Sequence, residues 1–327
     1  GMLCGAWQLR SVKADVIFVF EPSPVTVGLP AVLLSKLKNA PIIFWALDLW
    51  PETLAAMGVV RSPRVLALIG KVVRFIYDRS TLVLGQSKGF LDSLSKHCSD
   101  PLKIRYFPSW AEDVFTHTDV ILASEVPVVA DAFNVVFAGN IGDAQDMPAV
   151  LDAAARLKDR PSIRWIVVGD GRKYEWLKSE VVKRGLQSSF LLVGRFSVDR
   201  MPSFYAHADA LLVPLKRDPV FSMTIPGKVQ SYLMAGVPIL GMLDGEGAAV
   251  IRDAKAGITC NAGDSAGLAD AVLSLQAMSA NERLQLGRNG KIYAEKEFGR
   301  SQLMDRMELL LFEAMTTHEL KSSLRSL

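Results

Sequence analysis

Short apolar runs rich in β-branched and aromatic residues alternate along the chain with longer stretches whose apolar positions recur at helical spacing. This is the pattern of parallel α/β units. In the first part, runs at 16–20, 42–46, 82–84 and 104–107 predict strands, and residues 24–37 and 65–79 predict helices. Residues 116–132 lose periodicity. A second series then places strands at 135–138, 164–168, 190–193, 210–213, 239–241 and 258–259. Helices are predicted at 147–157, 173–184, 198–207, 228–234, 248–253 and 265–278, followed by a strandless helical tail over 280–321. The chain therefore divides into a first Rossmann-like domain (1–125), a complete doubly wound domain (126–300) and a C-terminal helix (301–327). Rossmann halves come as two βαβαβ sets. The first domain shows about four strands and opens in a helix-like stretch, so it is expected to lack its front.

Three strands of the first domain run into polar or Pro- and Gly-containing sequence: Glu21-Pro22-Ser23-Pro24, Asp48-Leu49-Trp50-Pro51-Glu52 and Gln86-Ser87-Lys88-Gly89. In open α/β sheets ligands sit beyond the carboxyl ends of strands. Two domains also suit a length of 327 residues. Half the residues are hydrophobic and 22% are charged, which excludes a disordered chain. The apolar stretches around 16–20 and 233–243 are too short and interrupted to span a bilayer. Arg10 and Lys13 interrupt or follow the early apolar stretch without a cleavage-site pattern, which argues against a signal peptide, and Gly1 before Met2 reads as a cloning remnant. Cys4, Cys98 and Cys260 are odd in number and far apart, fitting neither a disulfide framework nor a zinc site. A cytoplasmic protein is the expectation.

The net charge of +3 does not suggest a nucleic-acid binder. Residues 1–120 carry 13 Lys and Arg against 10 Asp and Glu, whereas the remainder carries 24 of each. The excess positive charge of the first third fits weak attraction to an anionic surface or acceptor, or ordinary scatter. Residues 66–77, with Lys71, Arg74 and Arg79 nearby, read either as a helix lying on a membrane surface or as a buried helix of the first domain.

Candidate chemistry concentrates in the second domain. Gly139-Asn140-Ile141-Gly142, with Gln145, follows a strand; its glycines allow close backbone approach and the next helix presents its N-terminus. It is G-x-x-G without the third glycine of a dinucleotide fingerprint. Gly169-Asp170-Gly171 is a second such loop, and both also have a purely structural reading as tight turns. In Thr224-Ile225-Pro226-Gly227-Lys228, Pro226 and Gly227 expose the amides of a helix start. Lys228 adds a cation in the first turn, which is unfavourable unless an anion binds or the lysine is simply solvated. Glu246, beside Gly247, is a candidate for ribose hydroxyls. Arg195 follows a strand and approaches a phosphate or base, or lies on the surface.

In the first domain, Trp50 offers a stacking face and Asp48 and Glu52 offer carboxylates for hydroxyls, unless the motif is a helix cap with a packed Trp. His97, His117, His207 and His318 stand in no metal or triad spacing. No Asp-x-Asp cluster follows a strand, so no metal is expected.

Together, the Asp48–Glu52 motif, the two glycine loops and the stretch from Pro226-Gly227-Lys228 to Gly236-Val237-Pro238 resemble bacterial family 4 glycosyltransferases. The nearest resemblance is to the N-acetylfucosamine-type branch that builds O-antigen and capsule. It runs from Ala14 to about Leu311 and implies the GT-B fold: two Rossmann-like domains with parallel sheets facing a cleft, the first incomplete here. It implies a nucleotide-sugar donor, a UDP-sugar, bound by Gly139, Asn140, Gly142, Gly169, Gly171, Arg195, Thr224, Pro226, Gly227, Lys228, Glu246 and Gly247. It further implies transfer with retention of configuration to a lipid-linked lipopolysaccharide O-antigen or capsule glycan at the inner face of the membrane. Lys228, Asp48 and Glu52 are the catalytic candidates, with no cofactor beyond the donor and possible peripheral membrane association. Two departures are the absent opening strand with its glycine-rich loop, and Met223 and Ser231 where many relatives carry paired glutamates. A sugar-nucleotide epimerase of the same fold and a non-catalytic nucleotide-binding fragment are the alternatives.

Overall fold

The computed structural model describes residues 8–9, 11–116 and 120–325. Cys4, Arg10 and His117 lie outside the described residues. The chain folds as two compact units, Gly1–Pro108 with Ser301–Leu327, and Ser109–Arg300. No helix among the described residues is long and apolar enough to cross a membrane.

The first unit holds β1 (Ile17–Glu21), α1 (Gly28–Lys38), β2 (Ile42–Ala46), α2 (Glu52–Ala56), α3 (Pro63–Arg79), β3 (Leu82–Gly85), α4 (Lys88–Lys96) and β4 (Ile104–Tyr106). Its four strands pair in parallel in the order β1-β2-β3-β4. β2 is buried along its whole length, as a parallel strand covered on both faces must be. α1 packs closely on the sheet and α3: a Cβ on Gly28 would stand 2.5 Å from Ile76 Cγ2 and 2.9 Å from Phe44 Cε2. β1 is turned against its hydropathy. Val19 and Glu21 face inward, while Phe18 and Phe20 remain exposed beside Trp45, with ring centroids 6.1 and 5.5 Å away. Two helices escape the periodicity. α2 is one turn long, and Ser87 of the expected loop is the N-cap of α4, its hydroxyl accepting from the Phe90 amide at 3.2 Å.

The second unit holds β5 (Phe133–Ala138), α5 (Met147–Arg156), β6 (Ile163–Val168), α6 (Tyr174–Lys183), β7 (Phe190–Gly194), α7 (Met201–Tyr205), β8 (Ala210–Pro214), α8 (Pro219–Met223), α9 (Gly227–Ala235), β9 (Ile239–Met242), α10 (Gly245–Asp253), β10 (Gly257–Cys260), α11 (Ser265–Ala277) and α12 (Ala280–Phe298). The tail is broken: Gly299 leaves helical geometry (ψ 129°) and α13 (Arg300–Arg325) begins anew. From Ser301 that helix belongs to the first unit, where Arg105 bonds Glu313 at 2.6 Å. The six strands are parallel in the order β10-β9-β8-β5-β6-β7, the doubly wound arrangement with a reversal between β5 and β8. Alternation along β5 supplies both faces of the core. Phe133, Val135 and Phe137 pack with α5 and α11, and Val136 and Ala138 pack with Tyr232 and Ile251.

Candidate functional site

The reversal between β5 and β8 opens a crevice at their carboxyl ends. The two strands pair only through Val135 with Ala210 and Val136 with Leu211. Beyond this point the backbone of Ala138 has lost its partner strand, and the buried Tyr232 hydroxyl takes its place. It accepts from the Ala138 amide at 2.9 Å and donates to the Ala138 carbonyl at 3.2 Å. A side chain of α9 thus holds the end of β5 where the glycine loop begins.

Three loops meet there at backbone distance. Gly139 (φ +142°) and Gly169 (φ +146°) lie so close that a Cβ on Gly169 would stand 1.9 Å from the Gly139 carbonyl oxygen. Gly171 (φ +154°) would direct a Cβ to 2.4 Å from the Ile141 carbonyl oxygen. These conformations and approaches exclude side chains. The Ile141 amide donates to Asp170 at 2.8 Å and the Gly169 amide to Gly194 at 2.7 Å, tying the loops after β5, β6 and β7 together. The result is a cavity of about 390 Å³, of the size that holds small ligands, lined by Gly139, Asn140, Gly169, Gly171, Arg195 and Phe196 among others.

Lys228 reaches this loop from the first turn of α9. A Cβ on Gly139 would meet its Cε at 2.5 Å and its Nζ at 2.9 Å. The ammonium sits 5.0 Å from the centroid of the Phe137 ring, and among the described residues no carboxylate lies within 4 Å of it. The residue as a whole is half-buried, but its charged end is the desolvated part, and burial pushes its pKa down to about 8. A cation with no carboxylate beside it, against a glycine turn and at a helix start, is a site prepared for an anion.

The remaining predicted residues fall into two groups. Pro226 is the N-cap of α9 (ψ 135°) and packs on Gly247, where a Cβ would stand 2.9 Å from Pro226 Cδ. Gly227 is exposed and precedes Lys228. The Thr224 hydroxyl donates back to the Val220 carbonyl at 3.1 Å. Gly142 faces away from the large cavity: its amide donates to Gln145 Oε1 at 3.0 Å, and it lines a smaller hollow of about 60 Å³ with Lys173 and Lys216. Glu246 is half-buried in the first turn of α10, and its charge acts on the Tyr293 hydroxyl, helping to raise the Tyr293 pKa. Phe196, which brings an aromatic face into the large cavity, was quoted in the sequence only as a neighbour of Arg195. Its position following β7 is the signal that would have singled it out.

The Asp48–Glu52 motif forms a network within the first unit. Asp48 Oδ1 accepts from the Leu49 amide at 2.9 Å and the Thr53 hydroxyl at 2.6 Å, and Oδ2 accepts from the Trp50 indole at 3.1 Å. Glu52 Oε1 accepts from the Ser93 hydroxyl and stands 3.1 Å from His97 Nε2, while Oε2 is buried without a partner. Burial pushes the Glu52 carboxyl up, but the bonds from His97, its own amide and Ser93 together outweigh it and hold it below the usual range. Glu21 is fully buried with both oxygens unpartnered. Burial, and secondarily the charge of Asp48, push it up to about 8, so a neutral carboxylic acid stands behind the motif at pH 7. Of the other histidines, His207 stands 2.9 Å from the Ala123 carbonyl and His318 stands 3.0 Å from that of Asn39.

Residues 132–277, most of the second unit, match the family model described as Glycosyl transferases group 1. WcaI of Escherichia coli K12, assigned by its name to colanic acid biosynthesis as a glycosyl transferase, is 26% identical over 216 residues. That alignment takes in 62% of this chain and 51% of WcaI, so the chain spans about half the length of that relative. Among solved structures, Anabaena Alr3699/HepE in complex with UDP and glucose superposes with a TM-score of 0.74 at 14% identity, covering 95% of this chain and 80% of that one. WaaG, a glycosyltransferase involved in lipopolysaccharide biosynthesis, does so with a TM-score of 0.68 at 15% identity, covering 93% and 80%. The chain shares with these structures the GT-B-type fold of two Rossmann-like α/β domains with parallel sheets.

Proposed function

We propose that this chain is a glycosyltransferase that takes a sugar from a UDP-sugar and passes it to a growing, lipid-linked surface glycan. The observation that carries the reading is Lys228, a desolvated cation laid across Gly139 at the switch point of the second unit. A bound diphosphate would supply the charge that Lys228 lacks. The amides of α9 and the ammonium would then stabilise the negative charge that develops on the departing nucleotide. The cavity beside them, with Arg195 and the ring of Phe196 on its wall, suits the nucleoside. The donor class is supported by the UDP bound to HepE, and the glycan class by the assignments of WcaI and WaaG. Retention of configuration is the stereochemistry proposed.

On the acceptor side the reading assigns Asp48 and Glu52 to positioning. Asp48 spends its oxygens on Leu49, Trp50 and Thr53, which sets the Trp50 ring, and Glu52 anchors the motif to α4 through Ser93 and His97.

Titration calorimetry with UDP on the wild type and on Lys228→Met tests the proposal, paired with release of UDP from UDP-sugars in the presence of lipid-linked glycan. Wild-type binding that falls by about tenfold or more in the variant is expected from loss of a charged hydrogen bond. Equal affinity of the two proteins, or no affinity in either, would overturn it.

A further inference from the structure

Helix α3 has two unlike faces. Val73, Ile76 and Tyr77 are buried against the first unit. On the opposite side, Arg64, Leu68, Lys71, Phe75 and Arg79 follow one another at spacings of four, three, four and four, and all five are exposed. Leu68 is 62% exposed and Phe75 40%. A helix face turned to water is ordinarily polar throughout; here apolar and cationic side chains alternate along a single ridge. The preceding loop extends it with Met57 at 57% exposure, Val59 at 65%, and the exposed Arg61.

The charge of this surface has one sign. Residues 53–77 contain four Lys or Arg and no Asp or Glu. Among the described residues, Arg61, Arg64 and Lys71 have no carboxylate within 4 Å. Arg79 stacks its guanidinium 3.7 Å from the centroid of Phe75, which keeps the ring outward and its charge beside it. Asp78, next along, is occupied by the amide and hydroxyl of Ser99 at 2.8 and 2.9 Å.

We infer that this face, from Met57 to Arg79, docks the protein on an anionic lipid bilayer, with Leu68 and Phe75 entering the headgroup boundary and the cations meeting lipid phosphates. Apolar side chains flanked by long basic ones are what an interfacial helix requires, since the basic stems lie along the apolar region while their charges stay at the phosphates. The surface carries both attractions: apolar area that is insensitive to salt and cations that are not. It overturns the reading of residues 66–77 as a wholly buried helix. The inference stands on the surface alone and does not require the transferase reading.

Sedimentation of the full chain with vesicles of phosphatidylethanolamine and phosphatidylglycerol, against pure phosphatidylcholine, provides the test. Binding to the anionic vesicles, weakened by salt, is expected. The double variant R64E/K71E should bind at least about tenfold more weakly, and L68S/F75S should lose the part of the binding that persists in high salt. A K255E variant, an exposed cation of the second unit, should bind as wild type. All of these positions are exposed, and an unchanged UDP affinity and melting temperature verify the fold. Hydrogen exchange on the unaltered protein gives a second readout: vesicles should protect residues 57–79. Absence of vesicle binding, equal binding by all variants, or protection of 57–79 by self-association without lipid would each overturn the inference. None of these outcomes depends on whether UDP binds.

Discussion

Lys228 couples the candidate site to pH. Its pKa, depressed to about 8 by burial, means that the free protein holds it largely charged at pH 7 and largely neutral at pH 9. A bound diphosphate favours the charged form and raises that pKa, so binding above pH 8 must take up a proton. UDP affinity is therefore expected to fall by about tenfold between pH 7 and pH 9, relative to Lys228→Arg, whose guanidinium does not titrate in that range. Calorimetry in two buffers of different ionisation heat checks both the fall and the proton uptake. A parallel pH dependence in the two proteins would remove Lys228 from the phosphate site. The sequence marked Lys228 as a misplaced cation at a helix start, but its desolvation is a property of Phe137 and Gly139, ninety residues away. Glu21 was even less legible: at the end of Ile-Phe-Val-Phe-Glu the phenylalanines would be expected inside, and the structure buries the carboxyl instead.

Among the elements, α9 does most to shape the site, because it carries Lys228 in its first turn and Tyr232 one turn later. The Tyr232 hydroxyl replaces the strand that β5 lacks beyond Val136. In Tyr232→Phe, the Ala138 amide and carbonyl would be buried without partners, a loss of about 1–3 kcal/mol. Chemical denaturation should show that loss, and because the freed end of β5 leads into Gly139, UDP affinity should weaken with it. Unchanged affinity in a destabilised variant would show that the glycine loop holds its shape without α9. All ten strands, and the helices longer than two turns in the second unit, follow from periodicity, because burial of one face leaves a repeating trace. Short α2 and α8 leave no such trace. α4 begins with Ser87-Lys88-Gly89, where a glycine in the first turn makes a helix start look like a loop.

At the scale of the molecule, the two units differ in what they offer a nucleotide. The loops that form the cavity, Lys228 and Arg195 all belong to Ser109–Arg300. Saturating UDP, at about a hundred times its Kd, would stabilise the folded form to which it binds by about 2.7 kcal/mol. Hydrogen exchange should place the added protection in β5, β6, β8 and α9 and leave β1 to β4 unchanged; equal protection of both sheets would refute a donor site confined to the second unit. The alternation of apolar runs with helical stretches, the glycines after β5 and β6, and the Pro-Gly-Lys helix start are sequence properties, because each is written in neighbouring residues. They sufficed for parallel sheets, two Rossmann-like units and a phosphate-binding expectation. Tertiary structure alone decided which strands adjoin, and so where the reversal between β5 and β8 opens. It decided that Gly139, Gly169 and Lys228 share one point, and that the face of α3 bearing Leu68 and Phe75 points away from the core. Those facts depend on contacts between residues far apart in the chain, and periodicity carries no information about them.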